Sequence, residues 1–175
     1  MPLPAFPFTG VCRFMEYTGE IYSLSSQFYI DYPHNQFPEI LTKPNRPYSC
    51  LLVEYFDDLF ICVPYRTQIH HPYAYHFKTS ARSKHNSSGL DYTKSVLIKN
   101  DQYLDTTALV DQDEYRETIV NLSRIAQEVV SYVSDYKDDL NHVKRLHPRE
   151  WQRRYGKSTL PYFDTFLTEH PNEIL

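Results

Sequence analysis

The sequence has few cysteines and none of the cysteine spacings that bind zinc. Cys12, Cys50 and Cys62 are the three cysteines, and no C-x-x-C pair occurs. Because the number is odd and two of them stand within apolar, strand-like runs, we predict buried free thiols in a reducing compartment. A Cys50–Cys62 bridge across a hairpin is the alternative that the spacing permits.

The sequence also lacks any apolar run long enough to span a bilayer. Its first residues, MPLPAFPFTG, have neither the charged start nor the long apolar stretch of a secretory signal. We therefore expect a cytoplasmic protein with no membrane partner. The 175 residues suffice for one domain, which we place at residues 21–175 behind a lead-in over residues 1–20.

Aromatic residues are abundant, with 16 tyrosines and 10 phenylalanines. Most of them are expected to fill the core, but tyrosine rings also stack on bases. The net charge of −4 argues against a diffuse coat of nucleic acid. Residues 41–100 nevertheless carry eight Lys/Arg, only four acidic residues and four of the eight histidines. A local anion site in the middle of the chain is therefore predicted.

Two apolar runs, YSCLLVEYF and LFICVPY, predict a β-hairpin with a tight turn at Asp57–Asp58. Pro64 indicates an edge or a bulge near the end of the second strand. EIYSLSSQFYIDYP predicts a short strand and a helical turn, and residues 96–98 predict a further core strand. The polar segment 66–90 predicts a long loop that is either functional or disordered.

From Asp111 the apolar period changes to 3.6 residues, which predicts one long amphipathic helix reaching Val143. Asp111 is expected to cap its first turn. Shorter helices are predicted over residues 148–156 and behind a Ser158 cap. The fold class is therefore α+β: a compact, twisted antiparallel sheet built on the 48–65 hairpin and covered by helices, including the long C-terminal one.

The hairpin suggests where the chemistry lies, because residues before its first strand and after its second meet at one rim of the sheet. Arg46 precedes the first strand, and Arg66, Thr67, His70 and His71 follow the second. Guanidinium groups bind phosphate in a bidentate geometry, and an imidazole accepts and returns a proton near neutral pH. Together with a hydroxyl, these groups suffice for metal-free RNA cleavage, in which a 2′-hydroxyl attacks the adjacent phosphorus.

Eight further residues are candidate RNA contacts through their charge or their aromatic face: Lys43, Tyr48, Tyr73, Lys78, Arg82, Lys84, Tyr92 and Lys94. Each also has an ordinary structural interpretation, because strand-end cations are usually solvated and tyrosine rings often close the end of a sheet. A histidine zinc site is another possibility, since four histidines share the segment 66–90. The cysteine or H-E-x-x-H partner of a strong zinc signal is missing, and no cofactor is expected.

Three motifs occur in the order FPEILTKPNRPYSCLLVEY, LFICVPYRTQIHHPYAY and GLDYTKSVLI. They resemble the toxins of type III toxin–antitoxin systems, the ToxN/AbiQ/TenpN superfamily, and TenpN-like members in particular. The similarity covers roughly residues 20–110 by motif and the C-terminal helices by pattern. It implies a compact ribonuclease, distantly similar to the Kid/MazF toxin fold, that cuts RNA without a metal and leaves a 2′,3′-cyclic phosphate.

The same resemblance implies partners. Such toxins are inhibited by a small repeated pseudoknot RNA, which they also cut from its precursor, and toxin and RNA repeats form closed assemblies. Target mRNA is the other expected partner. The implied role is growth inhibition and abortive defence against phage. A non-catalytic RNA-binding module is the alternative from a different class.

Site residues carry over by position. Arg46 matches the basic residue before the first central strand, and Thr67 matches the small hydroxyl residue after the second. His70 or His71 falls where many members have a lysine, so histidine either transfers the proton or binds phosphate. Lys94 matches the basic end of the third motif and is expected to contact the RNA backbone.

Overall fold

The computed structural model describes residues 17–43, 48–56, 58–106 and 108–168 of the chain. The strands within these ranges are β1 (Ile21–Leu24), β2 (Ser49–Phe56), β3 (Leu59–Arg66), β4 (Ala74–His76), β5 (Gly89–Asp91), β6 (Val96–Ile98) and β7 (Leu104–Asp105). The α-helices there are α1 (Ser26–Asp31), α2 (Ala81–Asn86), α3 (Gln112–Val120), α4 (Leu122–Leu140), α5 (Pro148–Tyr155) and α6 (Asp164–Leu167). Short 3₁₀ turns cover Tyr92–Lys94, Asp101–Tyr103 and Leu160–Phe163.

The strands form one antiparallel sheet with β3 at its centre. β3 pairs with β2 along one side and with β6 and β5, one after the other, along the other side. The full order is β4-β5-β3-β2-β1-β7, with β6 beside β3. The predicted α+β class with an antiparallel core is confirmed.

The hairpin predicted from the two apolar runs is confirmed as β2 and β3. Both faces of these strands are buried: Leu51 and Val53 on one face are each 0% exposed, and Leu52 and Cys62 on the other are 7% and 1% exposed. Phe56 faces Leu59 across the turn, and Asp57 lies outside the described residues. Pro64 is not at an edge: it lies in the central strand, between the residues that pair with β6 and those that pair with β5.

The segment 66–90 is not the long loop that its polarity predicted, because it contains β4, α2 and β5. Tyr75 and Phe77 are each 5% exposed and join the hydrophobic core. Ser80 caps α2 by accepting a hydrogen bond from the Ser83 backbone N–H at 2.9 Å. Strands of three residues are too short to show an alternating apolar pattern. The buried apolar residues of this segment also occur singly among polar ones, so the sequence did not predict these strands.

The long helix predicted from Asp111 is two helices. α3 ends at Val120 and α4 begins at Leu122, and Asn121 between them has φ −108° and ψ 15°, outside the helical range. Asp111 caps α3 as predicted, accepting hydrogen bonds from the Asp113 and Glu114 N–H groups at 3.0 and 3.1 Å. Val143, the expected last apolar position, lies beyond α4 and is 67% exposed.

The C-terminal elements follow the predicted order. His147 caps α5 ahead of Pro148, and Gly156 follows its last residue. The last predicted helix is divided into a 3₁₀ turn and α6, and the Ser158 hydroxyl accepts a hydrogen bond from the Leu160 N–H at 3.2 Å. The apolar side chains of α4, including Ile125 and Val129, pack in the same core as the central strands.

Cys50 and Cys62 are buried free thiols, as predicted. Burial raises the pKa of Cys50 to about 12, so its thiol is protonated and inert near neutral pH. Cys12 and most of the predicted lead-in lie outside the described residues. Across the described ranges, no helix combines the length and the apolar character that crossing a membrane requires.

Candidate functional site

The candidate site lies where β3 ends and the chain turns back toward β5. Arg66 is the last residue of β3, and the turn after it is fastened to the end of α2 by backbone hydrogen bonds from Gln68 to Asn86 (2.7 Å) and from Ile69 to Ser87 (3.1 Å). Arg46 lies outside the described residues, so its meeting with Arg66 at this rim remains a prediction.

Asp91, the last residue of β5, is the centre of the site. Its carboxylate is 0% exposed. Oδ2 accepts a hydrogen bond from Arg66 Nη1 at 2.7 Å, and Oδ1 accepts from the Thr93 hydroxyl at 2.7 Å and the Thr93 N–H at 3.0 Å. His71 Nε2 lies 3.3 Å from Oδ1. One carboxylate thus joins the residues after β3 to the turn after β5.

Asp91 carries its charge at neutral pH. Burial alone would raise the pKa of its carboxyl, but hydrogen bonds from His71, Thr93 and Arg66 outweigh burial, and the pKa is lowered from its ordinary value. An ionised carboxylate only accepts hydrogen bonds. The buried negative charge therefore holds Arg66 and His71 with their donors directed at it.

The two neighbouring histidines have different surroundings. The His71 ring faces Asp91 and stacks with Tyr73 at a centroid distance of 6.2 Å and an angle of 27°. Its Nδ1 is buried and has no hydrogen-bond partner within the described part of the chain. His70 is exposed, with Nε2 3.2 Å from Gln68 Oε1. Of the two imidazoles, only His71 is held by a buried carboxylate.

Thr67 stands directly after Arg66 and is partly buried. Its hydroxyl makes no hydrogen bond to another described residue. A donor at this position is therefore available to a ligand that binds at Arg66.

Two arginines of α5, which the sequence did not single out, lie beside the site. The Arg154 guanidinium is 5.9 Å from the centroid of the Tyr73 ring and pairs with Asp135 at 2.8 Å. The negative charge of Glu150 raises the pKa of Arg153, and a hydrogen bond to Tyr73 is the second cause of the same shift. The sequence signal is a pair of arginines in the last turn of a short helix, but only the tertiary structure places them against Tyr73.

The predicted RNA contacts have diverse environments. Lys78 and Lys84 are exposed, and Tyr73 and Arg82 are partly exposed. Lys43 lies over the ring of Tyr48, with its Nζ 4.1 Å from the centroid.

Tyr92 and Lys94 serve the packing of the folded chain. The Tyr92 ring is 4% exposed and its hydroxyl donates to Glu128 at 2.7 Å. The Lys94 side chain is 12% exposed, pairs with Glu39 and donates to the Lys157 carbonyl at 2.7 Å. Their side chains present little surface to a ligand in this conformation.

Two buried glutamates of α3, Glu114 and Glu117, hold the segment around α2 next to the site. The sequence did not indicate this role. Glu117 accepts hydrogen bonds from the Thr79 hydroxyl (2.7 Å), the Lys78 N–H (3.0 Å) and the Tyr75 hydroxyl (3.1 Å). Burial alone would raise the pKa of Glu117, but the bonds from Thr79 and Lys78 outweigh it and lower the pKa. Glu114 accepts from two serine hydroxyls that flank α2. The pair fastens the segment around α2 to α3.

The histidines that were candidates for a zinc site have different surroundings. His76 Nε2 lies 2.9 Å from the His71 carbonyl, whereas His85 is exposed on α2. Over the described ranges, no group of three or more His, Cys, Asp or Glu side chains has an arrangement that could hold a metal ion.

The site thus combines a cation, a free hydroxyl, an imidazole held by a buried carboxylate and a partly exposed tyrosine ring. Cations and hydroxyls bind phosphate oxygens, and tyrosine rings stack on unpaired bases. Such a set suits a phosphodiester of single-stranded RNA. No protein-family model, no curated protein and no solved structure matches this chain.

Proposed function

We propose that the protein is a metal-independent endoribonuclease, the toxin of a type III toxin–antitoxin system of the ToxN/AbiQ/TenpN superfamily. The observation that carries the proposal is the contact of Arg66 and His71 with Asp91. The first two belong to the motif LFICVPYRTQIHHPYAY and the third to GLDYTKSVLI, so two of the motifs that carry the resemblance meet at one buried carboxylate.

In the proposed reaction, Arg66 binds a non-bridging oxygen of the scissile phosphate. Asp91 accepts a hydrogen bond from Arg66 Nη1. The remaining guanidinium nitrogens of Arg66 bond no other described residue. The Thr67 hydroxyl donates to the same phosphate. These contacts stabilise the charge that develops on the phosphoryl oxygens in the transition state.

His71 takes the proton from the 2′-hydroxyl next to that phosphate. The 2′-oxygen then bonds to phosphorus, the bond from phosphorus to the 5′-oxygen breaks, and the leaving oxygen takes a proton from water. His71 then gives its proton to the hydroxide left from that water, so the products are a 2′,3′-cyclic phosphate and a 5′-hydroxyl, and no net proton is consumed. This role is assigned to His71 and not to His70, because only the ring of His71 is held by a buried carboxylate.

The substrate strand continues over the exposed side of this segment. Tyr73 stacks on a base beside the scissile bond, and Lys78, Arg82 and Lys84 contact the backbone. Arg46, which precedes the first strand of the hairpin, is proposed to complete the phosphate site at the same rim. The inhibitory partner is a repeated pseudoknot RNA, and the complex acts in the cytoplasm against phage. A short tandem repeat directly upstream of the coding region would support this assignment.

Growth experiments test the toxin proposal. Induced expression of the intact chain should stop bacterial growth, and Arg46→Ala, Arg66→Ala, Thr67→Ala and His71→Ala should each relieve the arrest. His70→Ala is the matched control and should remain toxic. Normal growth with abundant folded wild-type protein would contradict the proposal.

A cleavage assay separates the enzyme from a non-catalytic RNA-binding module. Purified protein is incubated with single-stranded RNA in EDTA, and the ends of the fragments are analysed. Fragments ending in a cyclic phosphate are expected. A gel shift without fragments would favour the binding module, and cleavage that EDTA abolishes would favour a metal site.

A further inference from the structure

We propose that Asp91 is a positioning residue that holds His71 in the tautomer protonated on Nε2, so that Nδ1 is the atom that accepts the proton. The assignment of the proton acceptor rests on the proposed function. The tautomer is a property of the folded chain and does not depend on it.

The first step concerns which His71 nitrogen bears the proton. Nε2 lies 3.3 Å from Asp91 Oδ1, within reach of a weak hydrogen bond. Because Asp91 is ionised, it only accepts, so Nε2 must donate. In the neutral imidazole the other nitrogen then carries the lone pair.

The second step concerns Nδ1. It is buried and bonds no group in the described part of the chain, whereas buried polar atoms nearly always have a partner. The neighbouring His76 ring bonds the His71 carbonyl and not the imidazole. Nδ1 is therefore the unsatisfied acceptor of this site, and a substrate hydroxyl would satisfy it once the side chains that enclose it move aside.

The third step is that Asp91 is itself fixed. The Thr93 hydroxyl and N–H hold its Oδ1 at the start of the 3₁₀ turn, and Arg66 holds Oδ2. The cation that faces this pair is Arg66 on β3, whereas Arg153 and Arg154 on α5 lie beside Tyr73 and pair with Glu150 and Asp135. Tyr132 of α4 also faces Asp91, and burial raises its pKa, so its hydroxyl is neutral. The hydrogen bonds from Thr93 and Arg66 stabilise the carboxylate and keep the proton on His71.

Nitrogen NMR of the full-length protein, made by cell-free synthesis with ¹⁵N-labelled histidine, tests the tautomer directly. His71→Ala assigns the signals, and spectra are recorded above the titration of the ring. We expect a protonated Nε2 and an unprotonated Nδ1 for His71. A His71 protonated on Nδ1 would overturn the inference without touching the ribonuclease proposal.

Asp91→Asn tests the link to catalysis, because its amide offers His71 either an acceptor or a donor. The variant should populate both tautomers and lose about 10²–10⁴-fold in cleavage rate, the range of a general base. The pH–rate profile should change as well, which a purely structural loss would not produce. Asp113→Asn, at an exposed carboxylate of α3, is the control and should cleave like the wild type.

The outcomes are separable. If Asp91→Asn folds, shown by an unchanged circular dichroism spectrum, and still cleaves at the wild-type rate, the positioning role is wrong. Where Asp91→Asn does not fold, Thr93→Val replaces it, because it loosens Asp91 without removing its charge: slower cleavage with a changed pH–rate profile supports the positioning role, and an unchanged rate and profile contradict it. A wild-type protein that shows the expected tautomer but cleaves no RNA leaves the tautomer standing and refutes the ribonuclease.

Discussion

Gly89 and Ser87 show how single backbone positions shape the site. At Gly89 a Cβ would lie 2.2 Å from the Tyr75 carbonyl oxygen, a backbone atom of the paired strand that cannot move aside. Ser87, two residues earlier, has φ 48°, in the left-handed region that favours glycine. Both positions lie between α2 and Asp91, so both affect where the carboxylate is held.

Substitutions at these two positions should change the free energy of unfolding in opposite directions. Gly89→Ala should lower the free energy of unfolding by about 1–3 kcal/mol, because the methyl group overpacks the β4–β5 pair. Ser87→Gly should raise it by about 0.5 kcal/mol, since glycine adopts this conformation without the clash of a side chain. Urea unfolding of both variants checks the prediction. A Gly89→Ala protein as stable as the wild type would mean that β4 and β5 do not pair as closely as described.

At the scale of elements, α3 holds the segment around α2 through two buried carboxylates, Glu114 and Glu117. The pKa of Glu117 is lowered in the folded protein, because the bonds it accepts outweigh its burial. A lowered pKa stabilises the fold above the ordinary glutamate value of about 4.3. That stabilisation is lost as the pH falls below this value and through the folded pKa.

Glu117→Gln should therefore destabilise the protein by about 1.5–3 kcal/mol at pH 7, the range for hydrogen bonds to a charged group. The difference from the wild type should shrink as the pH falls below about 4. Urea unfolding at pH 7, 5 and 3.5 measures it. Asp113→Asn, an exposed carboxylate in an ion pair with Arg116 on the same helix, should change stability little at any pH. A pH-independent difference for Glu117→Gln would refute this account.

At the scale of the whole molecule, cationic and acidic regions are separated along the chain. The site and the exposed cations of 66–90 lie in the basic middle of a chain with a net charge of −4. Only a few cations converge on a bound strand, so we expect RNA binding to weaken moderately with salt. About four phosphate contacts give a slope of about −3 in log K against log salt for single strands.

Arg82→Ala combined with Lys84→Ala should reduce the magnitude of this slope by about 1.4, which corresponds to two lost contacts. Fluorescence anisotropy with a short RNA, in a His71→Ala background that prevents cleavage, measures it. Lys144→Ala with Arg145→Ala, which removes two exposed cations after α4, is the matched control. Equal losses from both pairs would indicate a diffuse electrostatic interaction instead of a site.

The sequence alone determined the elements with strong local signals. The β2–β3 hairpin, the Asp111 cap, the short helix that begins at Pro148 and the buried free thiols follow from runs, cap residues and composition. The break at Asn121 did not, because α3 and α4 keep an almost continuous apolar period across it. The strands of 66–90 were missed because they gain their stability from pairing, which local propensity does not contain.

The tertiary structure decided the site. The sequence motifs predicted Arg66 and His71 as site residues. The partner that orients both is Asp91, which is 25 residues from Arg66 in the sequence. The α5 arginines are further still along the chain from Tyr73, which they flank. Contacts between distant segments depend on how the sheet orders its strands, and that order is a property of the whole packed chain. The sequence thus specifies which groups are present, and the fold decides which of them meet.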